Sequence, residues 1–201
     1  MPETTSASLD RLPRELREAI RGAALPPLDS SAAGRDSAAG RDSAAGRDSA
    51  ALLEQLQQPG CGLPSQPPSD ADAAKACEAA LWLLAGDLDR SHHLSQSLDS
   101  SDGSFWHGVM HRREGDFGNA KYWFRRTGHH PAYPRLAAAV AADPLARAAS
   151  DDAAWDALAF VDACAAAVRR GGDAREACRQ AQWLEWQVVC EDCLNRAWPH
   201  S

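Results

Sequence analysis

The chain has no apolar run approaching the roughly 18 to 20 residues that span a bilayer. Its first residues, MPETTSASLDRLPREL, carry neither the basic n-region nor the apolar h-region of a secretory leader. Both absences point to a cytoplasmic protein without a membrane segment. Isoleucine and valine are scarce while alanine dominates the 44% hydrophobic share, which favours helices over strands. Net positive charge is lacking too. At −7 and a pI near 5.4 the chain is unsuited to bulk nucleic-acid binding, although a local basic stretch can still hold an anion. There is no nucleophile elbow and no glycine-rich oxyanion loop, so the adjacent serines and histidines at 91 to 95 do not read as a hydrolase site.

Cysteine is present but unaccompanied by an oxidising context, so the six at 61, 77, 164, 178, 190 and 193 are not expected to form disulfides. Cys77, Cys164, Cys178 and Cys190 fall in alanine-rich helical patterns, where a thiol behaves as a small core residue. Cys190 and Cys193 make a CxxC, but inside VVCEDCLNRA, which reads as uninterrupted helix rather than a zinc knuckle or redox turn.

The chain divides unevenly. Residues 1–68 read as a mostly disordered region: a short helix over 13–22, three uninterrupted SAAGRD copies over 31–48, a second short helix over 49–58, and a proline-rich linker. A single helical domain follows over 69–198. Its grammar is helix, Gly-Asp, helix: Gly86-Asp87, Gly115-Asp116, and Gly171-Gly172 with Asp173. Glycine takes the left-handed position that ends one helix, and aspartate accepts the free N–H groups that open the next. This predicts helices from a Ser69/Asp72 capping box to Ala85, from Asp87 to Leu98, from a Ser104 cap to Glu114, from Asp116 to Thr127, from about Asp151 to Arg170, and from an Asp173/Glu176 box to about Ala197. The fold class is all-α, stacked helical hairpins forming a bundle or a short tetratricopeptide-like stack. Gly108, Ala120 and Phe124 match tetratricopeptide spacing in one unit only, so a true repeat array is not expected.

The stretch from Phe105 to Arg135 stands apart. It holds seven of the thirteen aromatics, four of the seven histidines, and a local charge of +4 within a chain of −7. At 100° per residue, His107, His111 and Glu114 share one narrow stripe, while Trp106, Val109 and Met110 lie on the adjacent core-facing side. Two imidazoles and a carboxylate on one stripe can ligate Zn, Fe or Mn, with His92 or His93 of the preceding helix supplying a further ligand. The cations form a second candidate. Arg112 and Arg113 point away from the stripe, Lys121 and Arg125 share a face of the next helix, and Asn119 and Tyr122 flank them. Guanidinium forks suit phosphate or carboxylate, so these six residues are candidates for binding an anionic small molecule or an acidic peptide end.

Quoted as they stand, D-L-D-R-S-H-H-L-S-Q (87–96) and F-W-H-G-V-M-H-R-R-E-G-D-F-G-N-A-K-Y-W-F-R-R-T-G-H-H-P (105–131) resemble a family of small all-helical proteins from bacteria and fungi. The resemblance covers roughly 70–197. It implies one domain and one site, and it lends no chemistry. Three functional expectations therefore stand: a basic pocket for an anionic ligand, a metal-dependent enzyme on the His-His-Glu stripe, or an interaction scaffold whose dense motif is a buried polar network.

Overall fold

A computed structural model of the protein describes residues 10, 12–23, 27–28, 44–58, 63–150 and 154–199. Among them are nine α-helices and no strand: α1 (Arg14–Gly22), α2 (Ala44–Gln57), α3 (Ala71–Ala85), α4 (Leu88–Gln96), α5 (Ser101–Glu114), α6 (Phe117–Thr127), α7 (Tyr133–Ala142), α8 (Ala157–Arg170) and α9 (Gly172–Ala197). The all-α class is as the composition and the Gly-Asp grammar imply.

Neighbours in sequence are neighbours in space: α3 pairs with α4, α4 with α5, and α5 with α6. The long α9 closes the stack, packing on α3, α7 and α8, while α8 bridges α6 and α9. Two of the Gly-Asp hinges behave as their chemistry requires. Gly86 and Gly115 adopt left-handed backbone, φ 88° and 82°, and Asp87 and Asp116 accept the N–H groups of Arg90 and Asn119.

Several boundaries differ from the sequence expectation. Asp70, not Ser69, caps α3 by accepting from Ala73 N–H. Helix α5 begins at Ser101 under a Ser100 cap, so SSDGS is its first turn rather than a loop. Gly103 is there for closeness, since a Cβ at that position would lie 2.5 Å from both Cβ and the carbonyl oxygen of Leu98. Helix α8 starts only at Ala157, where Asp156 accepts from Leu158 and Ala159 N–H. Helix α9 opens at Gly172, which leaves Asp173 in the first turn instead of capping it. A further helix, α7, forms in PRLAAAVAA with Pro134 in its first turn, a position where proline's missing N–H costs nothing.

The core runs through the whole stack. Phe105 and Trp106 are fully buried beside Met110, and Phe105 meets Trp106 and Phe124 edge-on with ring centres 5.0 and 5.7 Å apart. Each such ring contributes about 1.5 to 3 kcal/mol by leaving water. The sequence puts the domain start near Ser69, yet Leu16 and Ile20 of α1, Leu28, and Leu52 of α2 are buried in this same core. Gln182 of α9 donates to the Pro27 carbonyl across 3.4 Å. Residues 31–43 of the SAAGRD copies, and Cys61, lie outside the described residues. The other five cysteines are buried free thiols, as expected for core residues.

Candidate metal centre

Helix α4 delivers His92 to the α5 stripe. Its ring centre lies 4.6 Å from that of His107 and 5.6 Å from that of His111, and the latter two are stacked at 4.9 Å. One ring nitrogen from each of the three falls within 4.8 Å of the other two. His92 and His111 are half-buried and His107 is buried, so the cluster has a closed floor and an open rim. The helical period predicts the His107–His111 pairing, and the α4–α5 hairpin chooses His92 over His93, which is exposed.

The surroundings keep His107 neutral and orient His111. Burial, reinforced by the nearby His111 and His92, lowers the pKa of His107 to about 3, so it carries no proton to displace at neutral pH. Its Nδ1 is buried without a hydrogen-bond partner among the described residues. On its other side the ring stacks on Trp123 of α6, 3.9 Å between centres and 13° from parallel. His111 Nδ1 and Glu114 Oε2 are 3.1 Å apart. With Nδ1–H donating to that carboxylate, the lone pair of His111 sits on Nε2, a common orientation of metal-ligating histidine. Glu114 is thus placed beside His111, on the stripe where the spacing put it.

The cations do not converge. Arg112 is fully buried, donating to both oxygens of the Glu185 carboxylate and to Gln182 Oε1 at 3.3 Å, with its guanidinium 4.8 Å from the Phe160 ring centre. Burial opposes the charge, and the Glu185 carboxylate more than offsets it, raising the pKa above its ordinary value. Arg113 is also buried and donates to the Leu83 carbonyl, and burial together with Arg112 lowers its pKa to about 10. Both side chains are thus shut off from a ligand arriving from solvent. Lys121 pairs with Asp162 of α8 at 2.5 Å, and Asn119 Nδ2 donates to Asp116 at 2.7 Å. Tyr122 stands half exposed with its ring edge on Trp123, and Arg125 is exposed with no ion-pair partner among the described residues. The basic pocket expected from the sequence is therefore distributed over several separate places.

Two features escaped the sequence. Helical spacing puts Trp123 with Phe124 on the core-facing side of α6, whereas it is half-buried and forms the wall behind His107. Its 3.9 Å stack depends on the α5–α6 crossing, which no spacing reveals. The second is a buried network at the other end of α5. His130 Nδ1 accepts from Ala132 N–H at 3.1 Å, so its Nε2–H donates to Asp102 at 2.9 Å, and Asp102 also receives Arg196 at 2.8 Å. Burial raises the Asp102 pKa, but the His130 hydrogen bond and the Arg196 charge bring it below its ordinary value. No sequence signal marked this network, since Asp102 sits in the polar SSDGS stretch ahead of the expected Ser104 cap. Ser91 and Ser95, from the same motif as His92, face the core, and Ser95 Oγ donates to the His92 carbonyl at 3.1 Å.

None of the described helices is long and apolar enough to cross a membrane. No protein-family model, no curated protein and no solved structure matches this chain. The functional reading therefore rests on geometry.

Proposed function

We propose that the chain binds a divalent transition-metal ion through His92, His107 and His111, with Glu114 orienting His111. The observation that carries this reading is the convergence of three imidazole nitrogens within 4.8 Å. Nitrogens on one tetrahedral zinc stand about 3.4 Å apart, given Zn–N bonds of about 2.0 to 2.1 Å. Small rotations of the half-buried His92 and His111 rings close that difference, while the buried His107 stays against Trp123. Three neutral imidazoles suit Zn, Fe, Ni or Cu better than Mg or Ca.

A three-histidine set leaves at least one coordination position open. That is the arrangement of catalytic rather than structural zinc, and a water held there is acidified toward neutral pH. The half-buried rim at His92 and His111 gives such a position access to solvent or substrate. The activity class that follows is metal-assisted hydrolysis or hydration.

The test is metal content and zinc titration of protein purified without chelator. Zinc at about one hundred times its dissociation constant should stabilise the fold by about 2.7 kcal/mol. In His92→Ala and His111→Ala, both half-buried, that stabilisation should vanish while metal-free stability changes by less than about 1 kcal/mol. Negligible metal together with no zinc response in the unaltered protein would end this reading.

A further inference from the structure

A second cavity lies away from the histidines, where the end of α6, the start of α7 and the approach to α8 meet. Its volume is about 810 Å³, within the roughly 300 to 1,000 Å³ range of small-molecule sites. Trp123 and Phe124 are adjacent on α6, yet the first backs the histidines and the second lines this cavity. Its walls are mainly apolar. Phe124, Tyr133, Trp155 and Leu158 supply bulk, and Ala137, Ala138 and Ala141 of α7 leave space by being small.

Three polar features of the wall are unaccounted for. Trp155 is buried, with 7% of the residue exposed, and its Nε1–H has no hydrogen-bond partner among the described residues. The Tyr133 hydroxyl is likewise buried and without a partner among the described residues, and burial followed by the Glu185 charge raises its pKa, so it stays a neutral donor. Burying such donors unpaired costs about 1 to 3 kcal/mol each. At the rim, Arg125 is a charge without an ion pair among the described residues, next to the exposed ring of His129. The one acid in the lining, Asp156, already accepts two N–H groups at the start of α8, at 2.8 and 3.0 Å.

We infer that this cavity binds a monocarboxylate with an apolar body, its anionic end on Arg125 and its body against Phe124, Trp155 and the α7 alanines. The charge selects the head group, because a neutral head would leave Arg125 without a counter-ion. The alanine floor and aromatic walls select the body, which removes apolar surface from water on both sides. The inference does not depend on the metal reading, since no residue of the cavity is one of the three histidines.

Calorimetric titration of the full chain with naphthoate and decanoate, each beside its neutral amide, tests this. At least one carboxylate should bind about tenfold more tightly than its amide, the worth of one charge-assisted hydrogen bond. Arg125→Gln, an exposed position that leaves the core intact, should bring that carboxylate down to the affinity of its amide. Ala138→Trp, also exposed and in the cavity wall, should abolish both while helix content is retained. No binding of either carboxylate up to about 1 mM, equal affinity for carboxylate and amide, or binding unchanged in Arg125→Gln would overturn the proposal.

Discussion

Helix α5 carries two polar clusters on different sides, and they differ in how completely their groups are partnered. On one side Arg112 is fully buried, bonded to Glu185 and Gln182 and lying over an aromatic ring. On the other, His107 is just as deeply placed, but its Nδ1 has no partner and two more imidazoles crowd the same point. Both would register equally as buried polar residues in an apolar helix. The paired cluster has its charge answered through α9, and only the Arg112 Nε is left without a partner among the described residues. The histidine cluster has no such answer within the described residues, and buried nitrogens without partners are rare enough to require one.

The comparison breaks most visibly at Arg112. Arg112→Met should cost about 3 to 5 kcal/mol in chemical denaturation, because Glu185 is left as an uncompensated buried charge. Replacing Glu185 by Leu in the same chain should restore much of it. A loss below about 1 kcal/mol would mean that the ion pair is not what fixes α9 against α5.

The histidine side should show itself through pH. His107 has a folded pKa of about 3 against an ordinary 6.5, so the unfolded chain takes up a proton that the folded one refuses. Stability is then full above about pH 6.5 and falls as pH drops toward about 3, by up to about 1.4 kcal/mol per pH unit from this group. Acid denaturation followed by circular dichroism should show that slope, and His107→Phe should remove this component. A metal-free protein with no slope over that window would put His107 in water rather than against Trp123.

The smallest effect sharpens the link between the clusters and the α5–α6 crossing. A Cβ at Gly108 would come within 3.1 Å of the Phe124 ring. Gly108→Ala should cost about 1 to 2 kcal/mol by overpacking. By moving α6 it should also weaken zinc binding through Trp123, the residue next to Phe124. Unchanged thermal unfolding and zinc affinity would show that the crossing tolerates more slack than the glycine implies.

Helix identity was legible because Gly-Asp hinges announce stops and starts in purely local chemistry. The His107–His111–Glu114 stripe was legible for the same reason, being a matter of angle along one helix. Arg112 and Arg113 leave the expected pocket because their partners are distant in sequence. Glu185 lies 73 residues beyond Arg112, and the Leu83 carbonyl 30 residues before Arg113. The choice of His92 over His93 needed the α4–α5 turn, and Gly103, which resembles a turn glycine, proved to be a contact glycine. Helix α7 has no Gly-Asp hinge or side-chain cap to announce it, and it starts instead with Pro134 in its first turn.

The contacts of α9 have a consequence for the order in which the molecule can be made. Trp186 reaches back 106 residues to donate to Ala80, Arg196 reaches back 94 to donate to Asp102, and Glu185 reaches back 73 to accept from Arg112. A nascent chain that has completed α3 through α6 thus carries an arginine and an aspartate destined for burial, with their counter-charges still to be synthesised. Such an intermediate is poorly placed to settle, since uncompensated ions resist burial and the enabling contacts are among the least local in the fold. Lasting structure around the histidines therefore waits for the last helix to emerge, and a chain halted before Glu185 would present its clustered imidazoles without a rigid frame to hold them.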